Sequence, residues 1–320
     1  MNLDNLDRKI LYELDLNSRI TFKQLGKKLN IAKETVSFRI KRLVKNGYIK
    51  NFITTIHISQ LNRFYYKLFY KFHKTTPEID KQIVAYIRNY HSIAYFASLE
   101  GRYDITFLIL SKDMCDLYKF LVPFRKQFGD YIIEQEILIM PSVHRFNFRF
   151  FHEKGEILHT KYPEQLVEPN IDAIDYALIK ALAANSRMSL IDLAGLTKTE
   201  TNVVKYRLKK LRKAKILGTP VLDVDFEKFD VQQIQVCYCL KNHSAINTLI
   251  QYTAGFSQST FATVTLGKYD LAVEFAVADM KELREILNKI KEHFAEEITD
   301  HDVFIMEEHS INWFPYVLEK

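Results

Sequence analysis

Cysteine is scarce here: Cys115, Cys237 and Cys239 are the only three in 320 residues. So small and odd a number argues against a disulfide framework and for a reducing cytoplasm. Cys237-x-Cys239 has no second pair to complete a zinc site, and in a strand both side chains face one way, so plain packing is expected. No apolar run reaches the roughly 18 residues that span a bilayer. The opening MNLDNLDRKILYELD is charged and amphipathic, so neither a signal peptide nor membrane attachment is expected. There is no Gly-rich phosphate loop, no HExxH and no paired CxxC, and Ser, His and Asp lie scattered, which leaves hydrolytic and cofactor-dependent chemistry without support. His301, Glu307, Glu308 and His309 are the only His/acid cluster; along the last strand they need not converge, so a solvated edge and no metal is the expectation.

Positive charge is present, and it is concentrated. The chain carries a net +6. Residues 1–52 hold 12 Lys and Arg against 5 Asp and Glu, and residues 171–222 hold 10 against 4. The intervening 53–150 hold 13 against 9, the stretch 151–170 holds 2 against 4, and 223–320 hold 8 against 17. Two short segments therefore gather the basic excess, a distribution suited to a polyanion.

The first of those segments contains TFKQLGKKLNIAKETVSFRIKRLVKNGYIK, from Thr21. Thr21 with Gln24 three residues on predicts a capping box and a helix start. A second helix is predicted from Ala32 or Lys33 to Asn46, stopped by Gly47. On it Val36, Ile40, Leu43 and Val44 form an apolar stripe, and Lys33, Ser37, Lys41 and Lys45 take the other face. A capped helix, a tight turn and a basic amphipathic helix together predict a helix-turn-helix. The preceding helix, with Leu6, Ile10, Leu11 and Leu14, would pack behind it.

The pattern occurs twice. LDRKILYELDLNSRIT from Leu6 aligns with IDYALIKALAANSRMS from Ile174; Asn17-Ser18-Arg19 falls on Asn185-Ser186-Arg187, and Leu43 on Leu211. Gly101-Arg102-Tyr103-Asp104 falls on Gly267-Lys268-Tyr269-Asp270 after a two-residue slip. The chain reads as a tandem duplication, joined near 151–170, where Pro163 and Pro169 mark a linker. Predicted domains are 1–52, 53–150, 171–222 and 223–320. In each second part strands and helices alternate: Tyr66 to Phe72, Ile79 to Tyr90, Ile93 to Leu99, Asp104 to Leu110, Met114 to Phe128, Tyr131 to Ile139. The order βαββαβ predicts an α+β, ferredoxin-like domain. Its repeat is predicted at Ile234 to Leu240, Ala245 to Tyr252, Thr260 to Leu266, Leu271 to Val277, Met280 to His293 and Val303 to Met306.

The run Leu6-Asp7, Ile10-Leu11, Leu14, Asn17-Ser18-Arg19, Leu25, Thr35-Val36, Arg39-Ile40, Leu43 and Gly47-Tyr48-Ile49, followed by Gly101-Arg102-Tyr103-Asp104, resembles the Lrp/AsnC (feast/famine) family of transcription regulators. The resemblance implies a DNA-binding protein whose βαββαβ domain dimerises and binds a small effector, usually an amino acid, at an interface between such domains. It implies Gly101, Tyr103 and Asp104, with Gly267, Tyr269 and Asp270, as the effector site. Physically, Gly permits the turn and Asp could hold an ammonium group, although both residues also simply build turns.

Residues near the start of a recognition helix reach base edges, which nominates Lys33, Glu34, Ser37 and Phe38. Lys can pair with guanine, Glu with cytosine N4, and an aromatic edge with a thymine methyl. Lys41, Arg42 and Lys45 are expected on phosphates. Arg39 either joins them or pairs with Asp7 or Glu13, and the sequence leaves both open. In the second unit Thr201, Asn202 and Lys205 are the base-edge candidates. Val203, Val204, Leu208 and Leu211 are expected inward, with Lys209 and Lys213 outward. Thr197 replaces Leu29 and Lys215 replaces Gly47, so the second unit departs from the pattern and an asymmetric DNA site is expected. Two further classes stay open. One is an assembly scaffold without DNA binding. The other is an enzyme similar to the sirohaem decarboxylases, whose candidate segments here would be Arg63-Phe64-Tyr65-Tyr66 and Ile311-Asn312-Trp313-Phe314, the first lacking that family's His. The sheet domains are expected to pair within one chain, a basic domain facing an acidic one, or else between two chains.

Overall fold

The computed structural model describes residues 3–162 and 164–317, so Pro163 of the expected linker lies outside the described residues, as does the Glu308 side chain. Helix α1 (Asn5–Leu16) opens under a reciprocal cap between Asp4 and Asp7. Helix α2 (Phe22–Leu29) opens under the predicted box: Gln24 N–H donates to Thr21 Oγ1 at 3.2 Å and Thr21 N–H to Gln24 Oε1 at 3.1 Å. Helix α3 (Lys33–Lys45) stops before Gly47, whose φ of +78° is the left-handed geometry the sequence implied.

Strand β1 (Ile49–Ile56) leads into β2 (Phe64–Phe72), α4 (Pro77–Asn89), β3 (Ile93–Glu100), β4 (Ile105–Ser111), α5 (Met114–Phe128), β5 (Ile132–Phe146) and the short β6 (His159–Lys161). The second unit repeats the order as α6 (Ala173–Ala184), α7 (Leu190–Thr197), α8 (Thr201–Lys213), β7 (Leu217–Val224), β8 (Gln232–Leu240), α9 (Ile246–Ala254), β9 (Ser259–Leu266), β10 (Leu271–Val277), α10 (Met280–Phe294) and β11 (Ile298–Ile311). Strands β5 and β11 run well past their predicted ends, because their far halves gain partners from the other unit, which a local pattern does not show.

Each unit contains the ferredoxin-like order, β5-β2-β4-β3 and β11-β8-β10-β9. The two sheets then join at both edges, β3 to β11 with Leu99 opposite Met306, and β5 to β9 with Val143 opposite Thr263. Eight strands are thus joined into a continuous ring, in which the first halves of β5 and β11 keep one partner strand each. Its interior holds Phe69, Tyr103, Tyr269 and Phe304, with Phe69 rings 5.2 Å from Tyr103 and 5.4 Å from Phe304. Backbone ladders and ring packing carry this contact. Opposite charges also meet across the sheets, with Lys268 3.9 Å from Glu134 and Lys67 neighbouring Glu274.

The two wing strands also pair. β1 runs antiparallel to β7, with Phe52 opposite Leu222 and Ile53 opposite Val221, so this ribbon spans the expected domain boundaries at 52/53 and 222/223. Each head's first helix packs on the other unit's wing strand, α1 on β7 and α6 on β1. Ile10, Leu11 and Leu14 accordingly share a core with Leu222 and Val224, and Leu178 and Leu182 with Ile56. The duplicated chain folds as one interlocked body.

Candidate nucleic-acid interface

Helix α3 buries Val36, Ile40 and Leu43, and its other faces are open. Lys33, Glu34, Phe38, Lys41 and Lys45 are exposed, and Ser37 is half-buried. Val44 was expected inward and is exposed, since a three-residue stripe already fills the space behind the helix. Arg42, expected on a phosphate, is turned back: its Nη2 lies 2.6 Å from Asp7 Oδ2. Arg39 also belongs to the fold, with Nη1 2.9 Å from Asp7 Oδ1 and 2.6 Å from Asp4 Oδ2. Its hydrogen bond holds the Asp4 carboxyl below the usual range. Glu13 instead takes Lys28 at 2.6 Å. Asp7 is fully buried and bridges two arginines, so the recognition helix is latched to α1 by charge-assisted bonds.

The second head repeats the latch: Arg207 Nη1 reaches Asp175 at 3.0 Å and Asp172 at 2.7 Å, and Lys210 reaches Asp175 at 3.2 Å. Lys215 adopts φ +55° where the first unit has Gly47, and the Thr197 hydroxyl donates to the Leu193 carbonyl at 2.8 Å, so both departures are accommodated. Thr201, Asn202, Lys205, Lys209 and Lys213 are exposed. Val203 was expected inward and is exposed for the same reason as Val44. Tyr206 was missed by the sequence reading. It stands 69 % exposed at the position equivalent to Phe38, itself 66 % exposed, and the repeat register was the signal that could have found it.

The Asn-Ser-Arg repeat builds the contact between the heads. Ser18 and Ser186 hydroxyls meet at 2.7 Å about a local two-fold. Arg187 Nε donates to the Ser18 carbonyl at 2.6 Å, and Arg19 donates to the Ser186 carbonyl. Arg187 lies 4.6 Å from the Phe52 ring centroid. Burial, with Arg19 nearby, pushes the Arg187 guanidinium down to about 10. Head one has a further tie that head two lacks: buried Arg145 of β5 pairs with buried Asp15, which also accepts from Phe148 N–H at 2.8 Å. Ala183 and Ile311 occupy the corresponding places in the second unit.

The hairpin residues lie inside the paired sheets. Gly101 and Gly267 take φ +140° and +143°, and a Cβ would fall 2.8 Å from the Val303 carbonyl or 2.6 Å from Leu138. Tyr103 and Tyr269 are fully buried, their hydroxyls donating to Glu134 and Asp302. Asp104 accepts from Phe72 N–H at 2.7 Å and faces Lys71; Asp270 accepts from Leu240 N–H at 2.7 Å and faces His243. The two glycines and two tyrosines pack at the interface between the sheets, while the two aspartates each brace the hairpin of their own unit.

Between the ring's mouth and the wing ribbon lies a cavity of about 810 Å³. Arg63, Phe64, Tyr65 and Tyr66 line it together with Ile311, Asn312 and Trp313, so the fold brings these two distant segments to one chamber. Lys67 and Glu274 face one another across its inner end; burial lowers the lysine and raises the glutamate. Cys237 and Cys239 lie on the interior face of β8 and within the ring. His301 and His309 lie apart on β11, and no group of three or more metal-ligating side chains occurs among the described residues. Among the described residues no helix is long and apolar enough to cross a membrane.

The winged helix-turn-helix DNA-binding family matches residues 3–50, and the AsnC-type helix-turn-helix domain matches 171–212. The HTH-type transcriptional regulator LrpA of Bacillus subtilis is 32 % identical over 123 residues, 38 % of this chain and 80 % of that protein. The HTH-type transcriptional regulator Ptr1 of Methanocaldococcus jannaschii is 30 % identical over 119 residues, 37 % of this chain and 79 % of its own length. Over the whole chain the fold is similar to that of the sirohaem decarboxylase NirDL: TM-score 0.64, 11 % identity, covering 96 % of this chain and 92 % of that one.

Proposed function

The chain belongs to the Lrp/AsnC family of transcriptional regulators, and from that premise we propose that it binds double-stranded DNA as a single polypeptide, reading an asymmetric site with two unlike heads. The supporting observation is the latched pair of recognition helices. In both, the inner arginines or lysine are spent on buried aspartates, while Lys33, Lys41, Lys45, Lys205, Lys209 and Lys213 stay outside. Closure of the strand ring within one chain supports a monomeric working unit, its two recognition helices set to enter grooves about one DNA turn apart, roughly 34 Å. Base-edge reading is assigned to Lys33, Glu34, Ser37, Phe38, Thr201, Asn202 and Lys205, and phosphate binding to the remaining lysines. The cytoplasm is its proposed compartment. Effector control is placed in the paired sheet domains. An amino-acid ammonium group at Asp104 or Asp270 would take the place of Lys71 or His243.

The test is retention of random and selected duplexes across salt concentrations. Lys45→Ala is expected to weaken all sequences alike and lower the log–log salt slope by about 0.9. Lys33→Ala is expected to relax preference at one base pair. Identical selectivity profiles for the two variants would remove the division of roles, and salt-insensitive retention would favour the assembly scaffold. A second reading, catalysis of the sirohaem-decarboxylase kind, is favoured by the whole-chain likeness to NirDL and by the meeting of Arg63–Tyr66 with Ile311–Trp313 at the cavity. Unchanged absorption bands on adding sirohaem, with no carbon dioxide released, would remove it.

A further inference from the structure

The cavity is built on a scale the DNA-binding reading does not use. At about 810 Å³ it equals the bulk volume of roughly 27 waters at ~30 Å³ each. It falls within the range of about 300–1,000 Å³ typical of drug-sized ligand sites, and an amino acid would leave most of it unfilled. Tyr65, Tyr95, Tyr162 and Glu274 are densely surrounded by protein, yet each keeps accessible surface, and that surface is cavity wall. The walls are therefore ring faces with hydroxyl tips, amphipathic surfaces suited to flat organic molecules.

Charge narrows the class. The ionic groups lining the chamber already have partners. Lys67 has Glu274 as its neighbouring opposite charge, Glu274 accepts from Gln235 Nε2 at 2.9 Å, and Arg145 is paired with Asp15. Asp223 accepts from Trp313 Nε1 at 3.1 Å, and Glu164 holds Lys161 at 2.8 Å. Arg63 is tied to the Asn62 carbonyl and the Tyr316 ring. The lining sets Arg63, Lys67 and Arg145 against Glu164, Asp223 and Glu274, so it favours neither sign of ligand charge.

Placement gives the consequence. Residues of β1 and β7 form the wall facing the heads, and residues of β2, β3, β5 and β10 form the opposite wall. A molecule in the chamber would touch the wing ribbon and the ring at once, and the ribbon in turn carries the first helix of each head.

We propose that this chamber is an effector site for an uncharged, ring-bearing organic molecule larger than an amino acid, hydrogen-bonded at its polar end by Lys67 and Glu274, whose occupancy changes DNA affinity. The second half of that statement rests on the DNA-binding reading; the first does not.

The experiment uses the full chain and Nile red, an uncharged polycyclic dye, against anilinonaphthalene sulfonate, an anionic one of similar breadth. Nile red is expected to bind once per chain with a rise in emission, at least tenfold tighter than the sulfonate. Ala94→Trp, which fills the chamber from β3, is expected to weaken Nile red at least tenfold; Val143→Phe fills it from β5 and serves where the first does not fold. Saturating dye is expected to shift wild-type DNA affinity at least threefold, and that of the filled variant not at all. Dye affinity unmoved by both substitutions, or equal affinity for the two dyes, would overturn the site. Dye binding with unchanged DNA affinity would overturn the coupling. A chain that binds dye once and never retains DNA keeps the site while the DNA reading fails.

Discussion

Replacing Arg145 by Leu tests how head one is fastened to the strand ring. Asp15 has a fully buried side chain, and its charge is met by Arg145 and by the backbone of Phe148 and Leu222. Removing one partner of a buried pair costs about 3–5 kcal/mol, because the other is left as an uncompensated charge. Total stability is typically about 5–15 kcal/mol, so the loss is a large share. Asp15 can escape by protonating. Burial already raises its carboxyl above the ordinary range with Arg145 in place, and the substitution raises it further. With a folded pKa above the unfolded value of about 3.9, the penalty is absent below that value and grows as pH rises through the folded pKa. The deficit of Arg145→Leu should therefore shrink on acidification, while Asp15→Asn/Arg145→Leu should recover much of the loss and show no such dependence. Urea unfolding followed by circular dichroism, run as a double-mutant cycle, measures this. A loss under about 1 kcal/mol for Arg145→Leu, or additive effects in the cycle, would refute the argument.

Three further outcomes are expected. Phe38→Ala and Tyr206→Ala remove large exposed rings from equivalent places; selection from random duplexes should show lost preference near thymine at different positions for the two, with unfolding midpoints unchanged. Gly101→Ala and Gly267→Ala force a Cβ into a backbone carbonyl or Leu138 at left-handed φ, at a cost of about 1–3 kcal/mol each, read as a lower thermal midpoint. Asp7→Asn loosens Arg39 and Arg42 and should weaken DNA binding more than Asp192→Asn, which alters only the exposed cap of the second head, as titration of labelled duplex would show.

The helix-turn-helix was legible because its determinants are local. A capping box, a glycine stop and a 3.6-residue stripe each act within a few residues. The repeat made the second copy legible even where Thr197 and Lys215 depart from the first. Arg42 was misread because an arginine on an outer face looks like a phosphate ligand until the buried carboxylate of another helix is placed beside it. The hairpin residues were legible as a turn, but Tyr103 and Tyr269 could be seen as sheet-interface packing only once the two units were set face to face.

By itself, then, the sequence determined the elements, their order and the duplication, since these follow from periodicity, capping and self-similarity. Only the tertiary structure decided that β3 would close on β11 and β5 on β9, that each head would pack on the other unit's wing strand, and that Arg63–Tyr66 would meet Ile311–Trp313 around a cavity. Those contacts join residues more than a hundred positions apart, where strand edges are chemically alike and only closure of the whole ring selects the pairing.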